Sequence, residues 1–148
     1  VDAMNEYMNG VALRTFSSFD TGQQPSRSKP EKFYHGFVLG LLVDLQDQYY
    51  LTSNRESGFG RYDVMIEPKN PAERAAYVIE FKVFNARREK NLEDTVETAL
   101  AQIKEKRYVE KLVERGIPKE RIHCYAFAFE GKTVLIESAT DHPQITEI

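Results

Sequence analysis

An aspartate on one predicted strand and a Glu-x-Lys on the next hold most of the chemistry open to this sequence. Residues 61–67 read Arg-Tyr-Asp-Val-Met-Ile-Glu, and residues 77–84 read Tyr-Val-Ile-Glu-Phe-Lys-Val-Phe. Side chains on a strand alternate faces, so Val78, Glu80, Lys82 and Phe84 share one side and Tyr77, Ile79, Phe81 and Val83 the other. Both strands are too apolar for an edge hairpin, which means that Glu80 and Lys82 are not an ordinary solvent face. Pro68-Lys69-Asn70-Pro71 are turn formers, and pairing Glu67 with Ala76 across them sets Asp63 opposite Glu80. Two carboxylates about 4 Å apart at an effective dielectric of about 20 repel by about 4 kcal/mol, and one Lys offsets only part of that. A divalent cation offsets more, and Asp and Glu oxygens with retained waters suit Mg²⁺. The competing account is a plain cross-strand salt bridge from Lys82 to either carboxylate. Glu-x-Lys alone, a common tripeptide, favours the salt bridge; the Asp on the neighbouring strand shifts the balance toward a metal.

The rest of the chain has to position that cluster. With 148 residues it is long enough for one domain with a real core. No run of apolar residues is long enough to predict a membrane span. The start, Val-Asp-Ala-Met-Asn-Glu, lacks an initiator Met and a basic-then-apolar signal pattern, so a chain excised from something longer is expected. The one cysteine, Cys124, excludes an internal disulfide, suggests an intracellular, cytoplasmic setting, and reads as a small core hydrophobe on a strand. A net charge of −3 does not imply unassisted tight binding of nucleic acid. It leaves room for a nuclease, whose own site is acidic, helped by another domain or partner.

Hydrophobic spacing predicts a short helix over Asp2–Asn9, an apolar stretch without clear period over Val11–Phe19, and a polar loop over Gln23–Lys29. A largely buried helix follows over residues 30–47, opened by the capping pattern Ser28-Lys29-Pro30-Glu31. Gly36 and Gly40 within it are expected to permit close approach to a sheet. Strands are predicted from Tyr49, through Asp63 and through Glu80. A charged loop, Asn85–Lys90, leads to one long helix from about Asn91 to Arg115, ended by Gly116-Ile117-Pro118. Strands over 122–129 and 133–137 close the chain around Glu130-Gly131-Lys132. The element order α-βββ-α-ββ predicts an α/β fold with a mixed central sheet flanked by helices. Its divisions are an N-terminal segment at 1–29 packing on the core, a domain at 30–138, and a polar tail at 139–148. Gly131-Lys132-Thr133 ends like a P-loop, but Ala126 stands where the first Gly is needed and no helix follows. His35, His123 and His142 lack zinc-site spacing, and no Gly-x-Ser-x-Gly occurs.

With Asp63, Glu80-Phe81-Lys82 and this order of elements, the chain resembles the PD-(D/E)XK nuclease superfamily. The runs PEKFYHGFVLGLL, SNRESGFGRYDVMIEP, VIEFKVF and TALAQIKEKRY are similar to the nuclease domain that follows an AAA-ATPase-like domain in many bacterial proteins. Tyr62 stands where the family's motif has Pro. The resemblance implies a restriction-endonuclease-like core and a phosphodiesterase dependent on Mg²⁺ or Mn²⁺, acting on nucleic acid, DNA before RNA, and leaving a 5′-phosphate. Asp63 and Glu80, joined by the Phe81 carbonyl, would bind the metal; Lys82 would position or help deprotonate the attacking water. Glu31 would complete the site from the first helix, unless it only caps that helix. An AAA-ATPase-like domain in the same chain is the implied partner.

Helical spacing sets Glu31 and His35 on one face, with His35 a candidate for substrate. Gln102 is similar to the Gln of RecB-like members and is carried over as an orienting residue. Five residues rather than three separate it from Tyr108, so Tyr108 is not carried over. Arg61 and the amides near Gly58 and Gly60 lie at the start of the Asp strand, where phosphate contact competes with salt bridging and tight turns. Arg87, Arg88 and Lys90, with Lys104, Lys106, Arg107 and Lys111, are the only basic concentration. They are candidates for phosphate contact against the alternative of a solvated face. Two other functions remain open: a catalytically inactive module with the same fold that binds nucleic acid or a protein, and a dimerisation domain suggested by exposed Tyr49 and Tyr50.

Overall fold

The structure, a computed structural model, describes residues 1–19, 36, 39, 40, 42–56 and 61–142. After helix α1 (Asp2–Phe19) come strands β1 (Tyr49–Glu56), β2 (Arg61–Pro68) and β3 (Ala76–Val83), then helices α2 (Leu92–Glu105) and α3 (Tyr108–Glu114), then β4 (Ile122–Glu130) and β5 (Thr133–Ser138). The five strands form one sheet in the order β1-β2-β3-β4-β5. Neighbours are antiparallel except β3 and β4, which are parallel. A parallel neighbour needs a crossover, and α2 with α3 supplies it. The mixed α/β architecture is the one that the element order implies. No helix among the described residues is long and apolar enough to cross a membrane.

Period-two alternation sorts the strands into two apolar faces. On one side Val64, Ile66, Ile79, Phe81, Phe127, Phe129, Val134 and Ile136 form a core with Met8 of α1 and Tyr49, and Leu39, Leu42 and Leu45 pack against it. On the other side Met65, Ala76, Val78, Cys124, Ala126 and Ala128 meet Val96, Ala99, Leu100, Ile103, Val109 and Leu112 of the crossover helices. The β4 residues on this second face are small, which lets α2 lie close over β3 and β4. Cys124 is buried, and burial pushes its thiol up to about 12, in keeping with a core role.

Helix α1 is longer than the predicted Asp2–Asn9 and closes one edge of the sheet. Asn5 Nδ2 donates to the Ile136 carbonyl at 2.7 Å and its Oδ1 accepts from the Ile136 N–H at 2.7 Å. Asn9 does the same with Val134, at 2.7 and 2.8 Å. Residues four apart on a helix thus match residues two apart on a strand, and two side-chain amides satisfy an edge that would otherwise offer itself to another chain. Asn9→Ala is expected to cost about 1–3 kcal/mol by urea denaturation and to speed amide exchange at Val134; unchanged exchange there would contradict the pairing.

At Gly36 and Gly40 a methyl group would meet no atom within 4 Å among the described residues. Tyr49 is buried and only Tyr50 is exposed, so the aromatic pair offers no joint surface. Residues Ala139–Asp141, which open the polar tail, form a 3-10 turn capped by the Ser138 side chain, with Ala139 against the core. The capping pattern at Ser28–Glu31 and half of the predicted helix over 30–47 lie outside the described residues; a 3-10 turn at Val43–Leu45 follows Leu42. The β4–β5 connection is a two-residue hairpin, with Gly131 at φ 58° as such loops require.

The predicted single helix over Asn91–Arg115 is two helices. Arg107 between them has φ 54° and ψ 40°, a left-handed conformation costly for a residue with a Cβ. The second helix ends at Gly116, φ 88°, where the Gly116 and Ile117 N–H groups bond the Val113 and Leu112 carbonyls. That is a Schellman cap with its usual apolar contact, Ile117 against Leu112.

Candidate active site

Buried charge marks the place. Among the described residues, the buried polar and charged side chains are Asp63, Glu80, Lys82, Glu89, Thr95, Gln102 and Ser138. All but Ser138 belong to β2, β3, α2 or the loop between β3 and α2. Charged side chains are seldom buried without a partner or a task.

Asp63 and Glu80 are direct cross-strand partners, the register expected from pairing Glu67 with Ala76. Both point to the face covered by α2 and α3, because Met65 and Val78, two residues away on their strands, belong to that core. Lys82, also two residues from Glu80, shares the face. The side chains of Asp63 and Glu80 are 4% and 0% exposed.

Neither account of Lys82 as a partner of Asp63 or Glu80 matches its contact. Its ammonium donates to Glu89 Oε1 at 2.5 Å. The loop after β3 folds back to deliver that carboxylate: Arg88 and Glu89 N–H groups bond the Asn85 carbonyl at 2.9 Å, and the Asn85 N–H donates to Glu89 Oε2 at 2.8 Å. The Thr95 hydroxyl, from the first turns of α2, donates to the same Oε2 at 3.0 Å. Burial pushes the Glu89 carboxyl up, but the bonds from Lys82, Asn85 and Thr95 outweigh it and hold it below the ordinary value. Helix α2 starts here because Asn91 caps it, accepting from the Asp94 N–H at 3.0 Å, with Glu93 and Asp94 in the first turn.

Asp63 is held by two groups from the break between helices. Lys106 Nζ donates to Asp63 Oδ2 at 2.8 Å and lies 3.8 Å from Glu80 Oε2. The Tyr108 hydroxyl donates to the same Asp63 oxygen. On an unbroken helix residues 106 and 108 would point about 200° apart. The left-handed turn at Arg107 brings both onto one carboxylate. Burial works against the charge on Lys106, but the hydrogen bond to Asp63 and the charge of Glu80 hold its ammonium well above the ordinary lysine range. Burial and the bond to Asp63 push the Tyr108 phenol far up, so at neutral pH Lys106 is a cation and Tyr108 a neutral donor.

Gln102 is buried on the stripe Thr95, Ala99, Gln102, Lys106, between the Glu89 cluster at one end and the Asp63 cluster at the other. Phe81 is buried against Phe127 and Phe129, with its side chain on the opposite face from Glu80. Arg87 and Arg88 are exposed in the turn after β3. Arg61 begins β2 opposite Glu56. Glu31 and His35 lie outside the described residues. Lys106, expected among surface cations, is turned inward.

Two residues of this arrangement were not carried by the sequence. Glu89 sits in a run of charges that reads as solvated loop, and nothing local marks it. Tyr108 had a signal in the Gln…Tyr pair, set aside because the spacing is wrong for an unbroken helix.

Two buried carboxylates facing an ammonium form a cation site in their chemistry, and hard oxygen donors fit Mg²⁺ or Mn²⁺. Among the described residues no group of three or more His, Cys, Asp or Glu side chains converges, so a metal here would rest on two side-chain carboxylates, backbone oxygen and water. In comparison with known proteins, the family described as the PD-(D/E)XK nuclease superfamily matches residues 29–139. No curated protein and no solved structure matches the chain.

Proposed function

The chain belongs to the PD-(D/E)XK nuclease superfamily, and from that premise we propose that it hydrolyses phosphodiester bonds, of DNA before RNA, with Mg²⁺ or Mn²⁺. The single observation that carries the reading is the direct pairing of Asp63 with Glu80, buried on the same face as Lys82. Asp63 and Glu80, with the Phe81 carbonyl, would hold the cation. A cation there supplies Lewis acidity and a water of lowered pKa. Lys82, fixed by Glu89, presents an ammonium beside the scissile phosphate, where it stabilises developing charge and orients the attacking water. Gln102 orients the substrate or that water from α2. Arg87 and Arg88, exposed just past β3, meet the phosphate backbone, and the product keeps a 5′-phosphate.

The test is cleavage of supercoiled plasmid and of single-stranded DNA with Mg²⁺, Mn²⁺ or chelator. Metal-stimulated cleavage that falls to background in Lys82→Ala is the expected result; cleavage that is equal in that variant would remove Lys82 from the mechanism. One observation favours a second reading, a nuclease fold kept only for binding: an ammonium, Lys106, already neutralises the two carboxylates. Calorimetry separates the two, since a binding module takes up no Mn²⁺ at millimolar concentration.

A further inference from the structure

We propose that Lys106 is the resident counter-ion of the metal-free site, and that divalent-cation binding is an exchange in which the metal displaces its ammonium from between Asp63 and Glu80. The proposal rests on the nuclease reading and adds a step to it. Two adjacent carboxylates this deeply covered need a positive charge whenever no metal is bound. Lys82 is committed to Glu89 at 2.5 Å. Lys106 meets the need, at 2.8 Å from Asp63 and 3.8 Å from Glu80.

Position and exposure make it displaceable. Glu80 and Asp63 are 0% and 4% exposed, whereas the Lys106 side chain is 21% exposed. Among these three groups it is the one with most access to solvent. It caps the C-terminal end of α2, just before the left-handed Arg107. A four-carbon stem at a helix end can swing its head outward without moving the helix. Tyr108, bonded to Asp63 through a stiff aromatic side chain with two rotatable torsions, keeps that carboxylate oriented meanwhile. Once displaced, the ammonium stays tethered at the rim, where an anionic phosphate arrives.

Calorimetric titration of Mn²⁺ into wild type, Lys106→Met and Lys106→Arg tests this, with thermal melts of each with and without metal. Lys106→Met is expected to bind Mn²⁺ more tightly by on the order of tenfold, because no ammonium competes. Its metal-free form should melt lower and gain more from Mn²⁺ than wild type does. Lys106→Arg keeps a competing cation and should stay near wild-type affinity. Equal or weaker Mn²⁺ binding in Lys106→Met, with wild type binding normally, overturns the exchange and leaves the nuclease reading standing. No Mn²⁺ binding by any of the three proteins overturns both. A Lys106→Met chain that fails to fold without metal should refold in Mn²⁺; failure in both conditions also overturns the proposal.

Discussion

Asp63→Asn is expected to lower metal-stimulated DNA cleavage by at least about 10²–10³-fold while leaving the fold intact. An amide is nearly the same shape as the carboxylate but has no negative charge for a cation. Metal binding would then fall to Glu80 and backbone oxygen alone. The stability side is nearly balanced. The substitution weakens the charge-assisted bonds from Lys106 and Tyr108, but it also relieves the repulsion between directly paired carboxylates. Lys106 still has Glu80 at 3.8 Å. The checking measurement is the initial cleavage rate in Mg²⁺ and Mn²⁺, beside a thermal melt. Wild-type rates in a folded Asp63→Asn protein would take the acid out of the chemistry and with it the proposed activity.

Glu89→Gln should have the largest effect on stability among the polar residues of the site. Glu89 gathers bonds from the Lys82 ammonium, the Asn85 N–H and the Thr95 hydroxyl. Without its charge, Lys82 is left buried on the sheet without the carboxylate that accepts its hydrogen bond, a situation that costs about 2–4 kcal/mol. The pH dependence identifies the cause. The Glu89 carboxyl is held below its ordinary value of 4.5, so its contribution is complete above that pH and is lost as pH falls through the depressed folded value. The gap between wild type and Glu89→Gln in urea midpoint should therefore be full at neutral pH and narrow below about pH 4.5. A gap independent of pH would mean that the loss comes from packing, not charge. Activity should fall as well, because Lys82 loses the group that aims it; a kcat decrease without a KM increase would place Glu89 as a positioning residue.

Much of the site was legible before any coordinates. Register and face follow from two local properties, alternation along a strand and the turn formers between Glu67 and Ala76, so Asp63, Glu80 and Lys82 could be set on one side of neighbouring strands. Burial on both faces followed from the apolar run of each strand, and a helical segment between β3 and β4, though not its division in two, from its period and from the Gly116-Ile117-Pro118 stop. These features depend on neighbours within a few residues of one another, which is the range that composition and spacing encode.

The partners of those charges were decided by the tertiary structure alone. Spacing shows which stripe of a helix is apolar but not where along the sheet that stripe comes to rest. The small residues Cys124, Ala126 and Ala128 let α2 lie close over β4, and its position then determines which strand residues Lys106 can reach. The left-handed Arg107 changes the phase between Lys106 and Tyr108, and no periodic pattern can anticipate a change of phase. The fold-back of the loop after β3 brings Glu89 rather than either motif acid to Lys82, and the phase change lets Lys106 and Tyr108, six or fewer positions from Gln102 in the chain, converge on an aspartate more than forty positions away.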